Sequence, residues 1–195
     1  AQCVVYSLAI DKANPELQES RNRGLPLFSY PQAVGQLTHR YKTIAISGTH
    51  GKSTVTALIA KILIENGFDP TVIIGTDLRE LGGSNFRIGK SPLLILEACE
   101  YRRAFLEYKP SCIILNTLDL DHVDYYRDLE DYKKAFIQFA KRMPADGYFF
   151  ANLDDEDIHD VVQKLQSDNF PSYNIFSYAS TYPSSQFYLS GNTIL

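Results

Sequence analysis

"KTIAISGTHGKSTVTALIA", residues 42–60, is the stretch that decides the fold. Its first six residues are β-branched or apolar for the most part, the pattern of a buried strand. From Lys52 onward Val55, Leu58, Ile59, Ile62 and Leu63 recur at the spacing of an amphipathic helix, which Asn66-Gly67 stops. Between strand and helix lie Gly48, Thr49, His50 and Gly51, followed by Lys52, Ser53 and Thr54. Two glycines let the backbone turn tightly and aim its N–H groups inward, and the helix start adds the positive end of a dipole, so the loop favours a polyanion. The common phosphate loop has four residues between its glycines; here there are two, giving Gly-x-x-Gly-Lys-Ser. Lys52 would bring charge to the β- and γ-phosphates of such a ligand, and the Ser53 hydroxyl is placed to ligate Mg²⁺. A glycine turn with no ligand shares these residues, but the strand before and the helix after supply the context of a phosphate loop.

Outward from this stretch, apolar runs alternate with helical patterns. Strands are expected at 3–7, 26–30, 71–75, 93–98, 111–116, 147–153 and 173–179, with a short one at 85–88 and a hairpin over 185–195. Helices are expected at 14–24, 31–41, 128–143 and 155–166; in the third, Leu129, Tyr132, Phe136, Phe139 and Ala140 share a face. The acids of "DDED" (154–157) suit a helix amino terminus. This alternation predicts an α/β fold with a doubly wound, mainly parallel sheet, in which ligands bind at the carboxyl ends of strands.

Composition narrows the classes. The 195 residues are 45% hydrophobic and 22% charged, enough for a sizeable core. A net charge of −4 with no basic stripe argues against nucleic acid as a partner. Cys3, Cys99 and Cys112 are too few and too far apart for a disulfide framework or a zinc site, and read as reduced, semi-buried thiols of a cytoplasmic protein. No run is long and apolar enough for a membrane span. His39 and His159 lie in charged helical surroundings and are expected to be exposed.

Two further spots fall at strand ends. Glu97 closes "LLILE" where a second Mg²⁺ ligand would be needed, although a surface acid is an equally ordinary reading. "NTLDLDHVDYY" (116–126) gathers an amide, three aspartates and His122. On residues alone His122 could be a metal ligand or a general base, but a solvated loop histidine is the simpler reading. Asp119, Asp121 and Asp124 would favour a cation or orient the histidine. No nucleophile elbow is present, so covalent hydrolysis has no support.

Taken together, "GTHGKST", "EACEYRRAFL" and "ILNTLDLDHVDYY" resemble the Mur ligases of peptidoglycan synthesis, and within them the alanine-adding branch. The resemblance implies ATP and Mg²⁺ as cofactors, UDP-N-acetylmuramate and L-alanine as substrates, and an acyl-phosphate intermediate. It implies that Gly48, Thr49, His50, Gly51, Lys52, Ser53 and Thr54 bind the ATP phosphates. Lys52 and His122 would carry catalysis, Ser53 and Glu97 would hold one Mg²⁺, and His122 a second. It also divides the chain into residues 1–42, the end of a Rossmann-like UDP-binding domain, and 43–195, the central ATP-binding domain. Both would be truncated, so the chain alone is expected not to turn over. A ligase that attaches a recycled tripeptide shares the loop. A GTPase would need a lysine where Thr117 stands, and a non-catalytic remnant need not keep Lys52, Glu97 and His122.

Overall fold

The computed structural model describes residues 1–168, 174–180, 187–190 and 193–194, the last two segments by backbone alone. A small parallel pair comes first: β1 (Val4–Tyr6) and β2 (Leu27–Ser29), joined through α1 (Pro15–Asn22). Asn14 caps α1 by accepting from the N–H groups of Glu16 and Leu17, and Pro15 takes the first helical position, where no N–H is needed. α2 (Tyr30–Thr38) opens on a capping box between Ser29 and Gln32 and leads to the main sheet.

That sheet contains β3 (Lys42–Ser47), β4 (Thr71–Leu78), β5 (Ser84–Arg87), β6 (Leu93–Glu97), β7 (Cys112–Leu115) and β8 (Tyr148–Asn152). β9 (Ile175–Ala179), β10 (Phe187–Ser190) and β11 (Thr193–Ile194) complete it. The order is β11-β10-β9-β8-β7-β3-β6-β4-β5. The interior pairs are parallel, and β5 and β11 run antiparallel at the edges. The register sets Glu97 opposite Ile46 and Leu115 opposite Ser47, which brings three strand ends level beside β3. The chain leaves β3 toward β4 and β6 on one side, then crosses to β7 on the other. Such a reversal opens a crevice at the carboxyl edge.

Alternation along the strands divides the core between two faces. Ala45, Leu94, Leu96, Ile113 and Leu115 pack with α4 (Leu129–Ala140) and α5 (Glu156–Ser167) through Tyr132, Phe136, Phe139, Ile158 and Leu165. Ile46, Ile95 and Val72 face α3 (Lys52–Glu65) on the other side. Each large side chain buried this way contributes about 1.5–3 kcal/mol. The α/β, doubly wound, mainly parallel sheet is therefore as the alternation predicts.

Several details differ. α3 turns Val55, Thr56, Ile59, Ala60 and Leu63 inward, while Leu58 and Ile62 are 54% and 58% exposed. Thr56 and Ala60 are the fully buried positions, so the close approach to the sheet runs along small residues and rotates the expected stripe. β4 continues past Gly75 to Leu78 because β5 pairs with it. Tyr101–Glu107 forms a 3-10 segment that periodicity does not announce. Cys3 and Cys99 are exposed, and only Cys112 is half-buried, where burial pushes its thiol up to about 12. His39 is exposed as expected, but His159 is half-buried at the flank of the apolar stripe of α5. The hairpin expected at 185–195 is present as β10 and β11, with residues 185–186, 191–192 and 195 outside the described ones.

Candidate active site

The loop after β3 is held by the segment after β7. The Thr49 N–H donates to the Thr117 carbonyl (2.9 Å), and the His50 N–H to Thr117 Oγ1 (2.9 Å). Buried Thr49 Oγ1 donates to the Asp119 carbonyl (2.7 Å), accepts from the Asp119 N–H (2.9 Å), and meets the Tyr132 hydroxyl at 3.0 Å. Because Thr49 Oγ1 gives its one proton to the Asp119 carbonyl, the Tyr132 hydroxyl is left to donate to it, and burial pushes that phenol above its ordinary range. Gly48 has φ 126°, and a Cβ there would lie 2.7 Å from the Thr117 carbonyl. Gly51, at φ 77°, is the N-cap of α3 and provides no side-chain cap. The first N–H groups of α3 are thus not taken by a capping side chain.

Two carboxylates meet this loop from the end of β6. Glu97 is half-buried; Ser53 Oγ donates to its Oε1 (3.1 Å) and the Gly75 N–H to its Oε2 (2.7 Å). A Cβ at Gly75 would come within 2.9 Å of Oε1, so the carboxylate needs a glycine on β4 to lie where it does. Three residues on, Glu100 is completely buried. Its Oε1 is 3.3 Å from Lys52 Nζ and 3.4 Å from His122 Nε2. Its Oε2 lies 3.1 Å from Lys52 Nζ but off the hydrogen-bonding direction, so it has no hydrogen-bond partner among the described residues. The Lys52 ammonium also donates to the carbonyls of Gly48 (2.7 Å) and Thr49 (3.1 Å).

The 3-10 segment fixes this second carboxylate. Arg102 and Arg103 both sit in the left-handed region, at φ 51° and 56°, which is costly for side chains of this size. Arg102 reaches back to the Leu8 carbonyl (2.9 Å), whereas Arg103 binds Asp131 Oδ1 (2.8 Å) and Gln138 Oε1 (3.2 Å) on α4. The Tyr126 hydroxyl donates to the Glu100 carbonyl at 2.5 Å. His122, itself at φ 53°, lies under the ring of Tyr101 with centroids 4.5 Å apart. Ligand atoms of Glu100, Asp121 and His122 all lie within 4.8 Å of one another.

The sequence pattern of the Mur ligase middle domain matches residues 46–190. The chain belongs to the Mur ligase family. It is similar to the UDP-N-acetylmuramate–L-alanine ligase of Caldicellulosiruptor saccharolyticus, with 42% identity over 166 residues, 85% of this chain and 36% of the relative. The ligase of that name from Clostridium botulinum is 40% identical over 178 residues, 91% of this chain and 38% of the relative. This Mur ligase chain thus spans little more than a third of the length of these curated relatives. Among solved structures, UDP-N-acetylmuramate:L-alanyl-gamma-D-glutamyl-meso-diaminopimelate ligase from Neisseria meningitides matches with TM-score 0.76 and 25% identity, over 89% of this chain and 58% of that one. UDP-N-acetylmuramate-alanine ligase from Thermotoga maritima matches with TM-score 0.77 and 22% identity, over 97% and 40%, and shares the fold.

The cluster at the ends of β3 and β6 brings together most of the residues singled out in the sequence. Gly48, Thr49, Lys52 and Ser53 meet Glu97, Glu100 and His122 through the contacts above, while Thr54 is exposed on the first turn of α3. His50 points outward, with 70% of its side chain exposed and Nε2 3.7 Å from Asp119 Oδ2. His122 is not a freely solvated loop residue: 29% of its side chain is exposed, and it faces buried Glu100. Of the three aspartates only Asp121 attends it, accepting from the His122 N–H (2.6 Å) with Oδ2 3.9 Å from Nε2. Asp124 instead accepts from the Tyr101 hydroxyl (2.8 Å). Glu100 and Gly75 were not legible as site residues. Glu100 stands inside "EACEYRRAFL" as a second acid three places after Glu97, but charged residues beyond a strand end are ordinarily exposed, so nothing local marked it for the site.

Proposed function

We propose that the chain is the ATP-handling part of a ligase that joins L-alanine to UDP-N-acetylmuramate in cytoplasmic peptidoglycan synthesis. Residues 1–42 would end its UDP-binding domain and 43–195 would form most of its central domain. The observation that carries the reading is the convergence of an uncapped Gly51–α3 loop, Lys52 and two carboxylates at the level ends of β3 and β6, in a chain about 40% identical to ligases of that name.

The donor set fits Mg²⁺. Ser53 and Glu97 offer hard oxygen ligands, and buried Glu100 lies in a group with Asp121 and His122, one ligand atom of each within 4.8 Å of the others. Mg²⁺ takes few protein ligands and keeps water and phosphate oxygens for the rest. When bound it would offset the repulsion between a substrate carboxylate and the γ-phosphate.

The chain's own groups would do the positioning. Loop N–H groups and the start of α3 hold the phosphates, and Lys52 neutralises charge on the transferring phosphoryl group. The lactyl carboxylate oxygen attacks the γ-phosphorus, ADP departs, and an acyl phosphate results. The alanine amine then attacks the acyl carbon, loses a proton and expels phosphate. Ligation would require chain beyond these 195 residues, because the amine must be delivered and the site closed. The tripeptide named for the Neisseria structure is the alternative amine donor, since that fold match is as good, but the sequence relatives favour L-alanine.

Titration calorimetry tests the nucleotide site. Mg·ATP should bind, and Lys52→Ala should weaken binding by about tenfold or more, the equivalent of about 1.4 kcal/mol. Equal affinity with and without the lysine would overturn the assignment.

A further inference from the structure

Lys52 is saturated where it stands. An ammonium has three donors, and Nζ meets the Gly48 carbonyl, the Thr49 carbonyl and Glu100 at 2.7, 3.1 and 3.3 Å. Serving a phosphate requires giving up at least one of these. Glu100 is the partner that cannot simply be left, because it is completely buried and an unpaired buried carboxylate is costly. A second taker for its charge is therefore needed. Glu100 also faces His122 and Asp121, with the ligand atoms of the three within 4.8 Å of one another, and its Oε2 has no hydrogen-bond partner among the described residues.

We propose that Glu100 is a carboxylate switch, ion-paired to Lys52 in one state and ligating a divalent cation with His122 and Asp121 in the other, so that cation uptake releases Lys52 to the nucleotide phosphates. This rests on the ATP-site reading and adds a coupling beyond direct contact between metal and phosphate. Cation and ammonium compete for one carboxylate, which is why the cation helps the nucleotide even before the two touch. The coupling is reciprocal, as linkage demands.

Two ligands, each titrated without the other, separate the terms. Mn²⁺ alone, followed by electron paramagnetic resonance, reports the cation; ATP in EDTA, followed by calorimetry, reports Lys52. Glu100→Gln should weaken Mn²⁺ and strengthen ATP in EDTA, because the lysine is no longer held. Lys52→Ala should bind Mn²⁺ more tightly than wild type, by roughly 5–150-fold if the coupling is of ordinary size. His122→Ala should weaken Mn²⁺ while leaving ATP in EDTA unchanged, since the Lys52–Glu100 pair survives. The switch is overturned if folded Glu100→Gln binds ATP in EDTA no better than wild type. Should that variant not fold, Lys52→Ala binding Mn²⁺ no more tightly overturns it equally. These failures are distinct from failure of the ATP site, in which Lys52→Ala would leave Mg·ATP binding intact.

Discussion

α3 and α5 both begin at the carboxyl edge of the same sheet, yet their first turns are built for opposite purposes. Asp155 caps α5, accepting from the N–H groups of Asp157 and Ile158, while its other oxygen accepts from the Leu118 N–H at 2.7 Å. Glu156 and Asp157 then place negative charge in the first turn, which favours the dipole. α3 has Gly51 at the same position, no capping side chain, and Lys52, Ser53 and Thr54 in its first turn with no acid among them. One helix neutralises its own positive end with residues of the chain. The other leaves that end uncapped, with a cation and a hydroxyl in its first turn, as the proposed phosphate site requires. The difference lies in a handful of side chains, because the strand–loop–helix geometry is common to both.

Moving the α5 solution onto α3 should have the largest effect. Gly51→Asp places a carboxylate at the proposed phosphate seat; aspartate tolerates the left-handed conformation, and the new Cβ would only touch Asn116 Nδ2 at 3.4 Å. Mg·ATP affinity by calorimetry should fall by about a hundredfold or more, the equivalent of about 2.7 kcal/mol. Circular dichroism should still show a folded chain. Retained affinity would mean that the uncapped end of α3 is not where phosphate sits.

A smaller change sharpens the role of the first turn. Ser53→Ala removes the hydroxyl that meets Glu97, and the Mg²⁺-dependence of ATP binding should drop by about tenfold, whereas Ser53→Thr keeps the oxygen at a helix-propensity cost of a few tenths of a kcal/mol. Equal Mg²⁺-dependence in the alanine and threonine variants would remove Ser53 from the metal site. The smallest effect belongs to α5. Asp155→Ala should cost about 1 kcal/mol for the lost cap, read as a fall of about 2–4 °C in the melting midpoint, with Mg·ATP affinity unchanged. A nucleotide defect in that variant would show that the two helix ends are not independent.

Much of this site was readable along the chain, for a reason specific to its parts. The loop from Gly48 to Lys52 is contiguous, and its chemistry follows from local geometry: glycines for the turn, N–H groups at a helix start, a lysine and a hydroxyl next in line. Glu97 was placed by the strand it ends. α4 was equally plain, because Tyr132, Phe136, Phe139 and Ala140 follow the helical period and are all buried. The stripe of α3 was misjudged at Leu58 and Ile62, since hydrophobic spacing marks a helix but not which residues allow close approach to a sheet.

The sequence by itself determined the order of strands and helices, the glycine–lysine loop between β3 and α3 and the acid that ends β6, because each depends on neighbours within a few residues. Only the tertiary structure decided that Glu100 is buried between Lys52 and His122, partners 48 and 22 positions away. It alone decided that Gly75 makes room for Glu97, and that Asp121 rather than Asp119 or Asp124 attends His122. Those outcomes depend on the register of β3 against its neighbours and on the two left-handed arginines, which set where a charge lies and what it must be paired with. No local pattern encodes that, because the cost of burying a charge is set by groups that come near it only when the sheet is assembled.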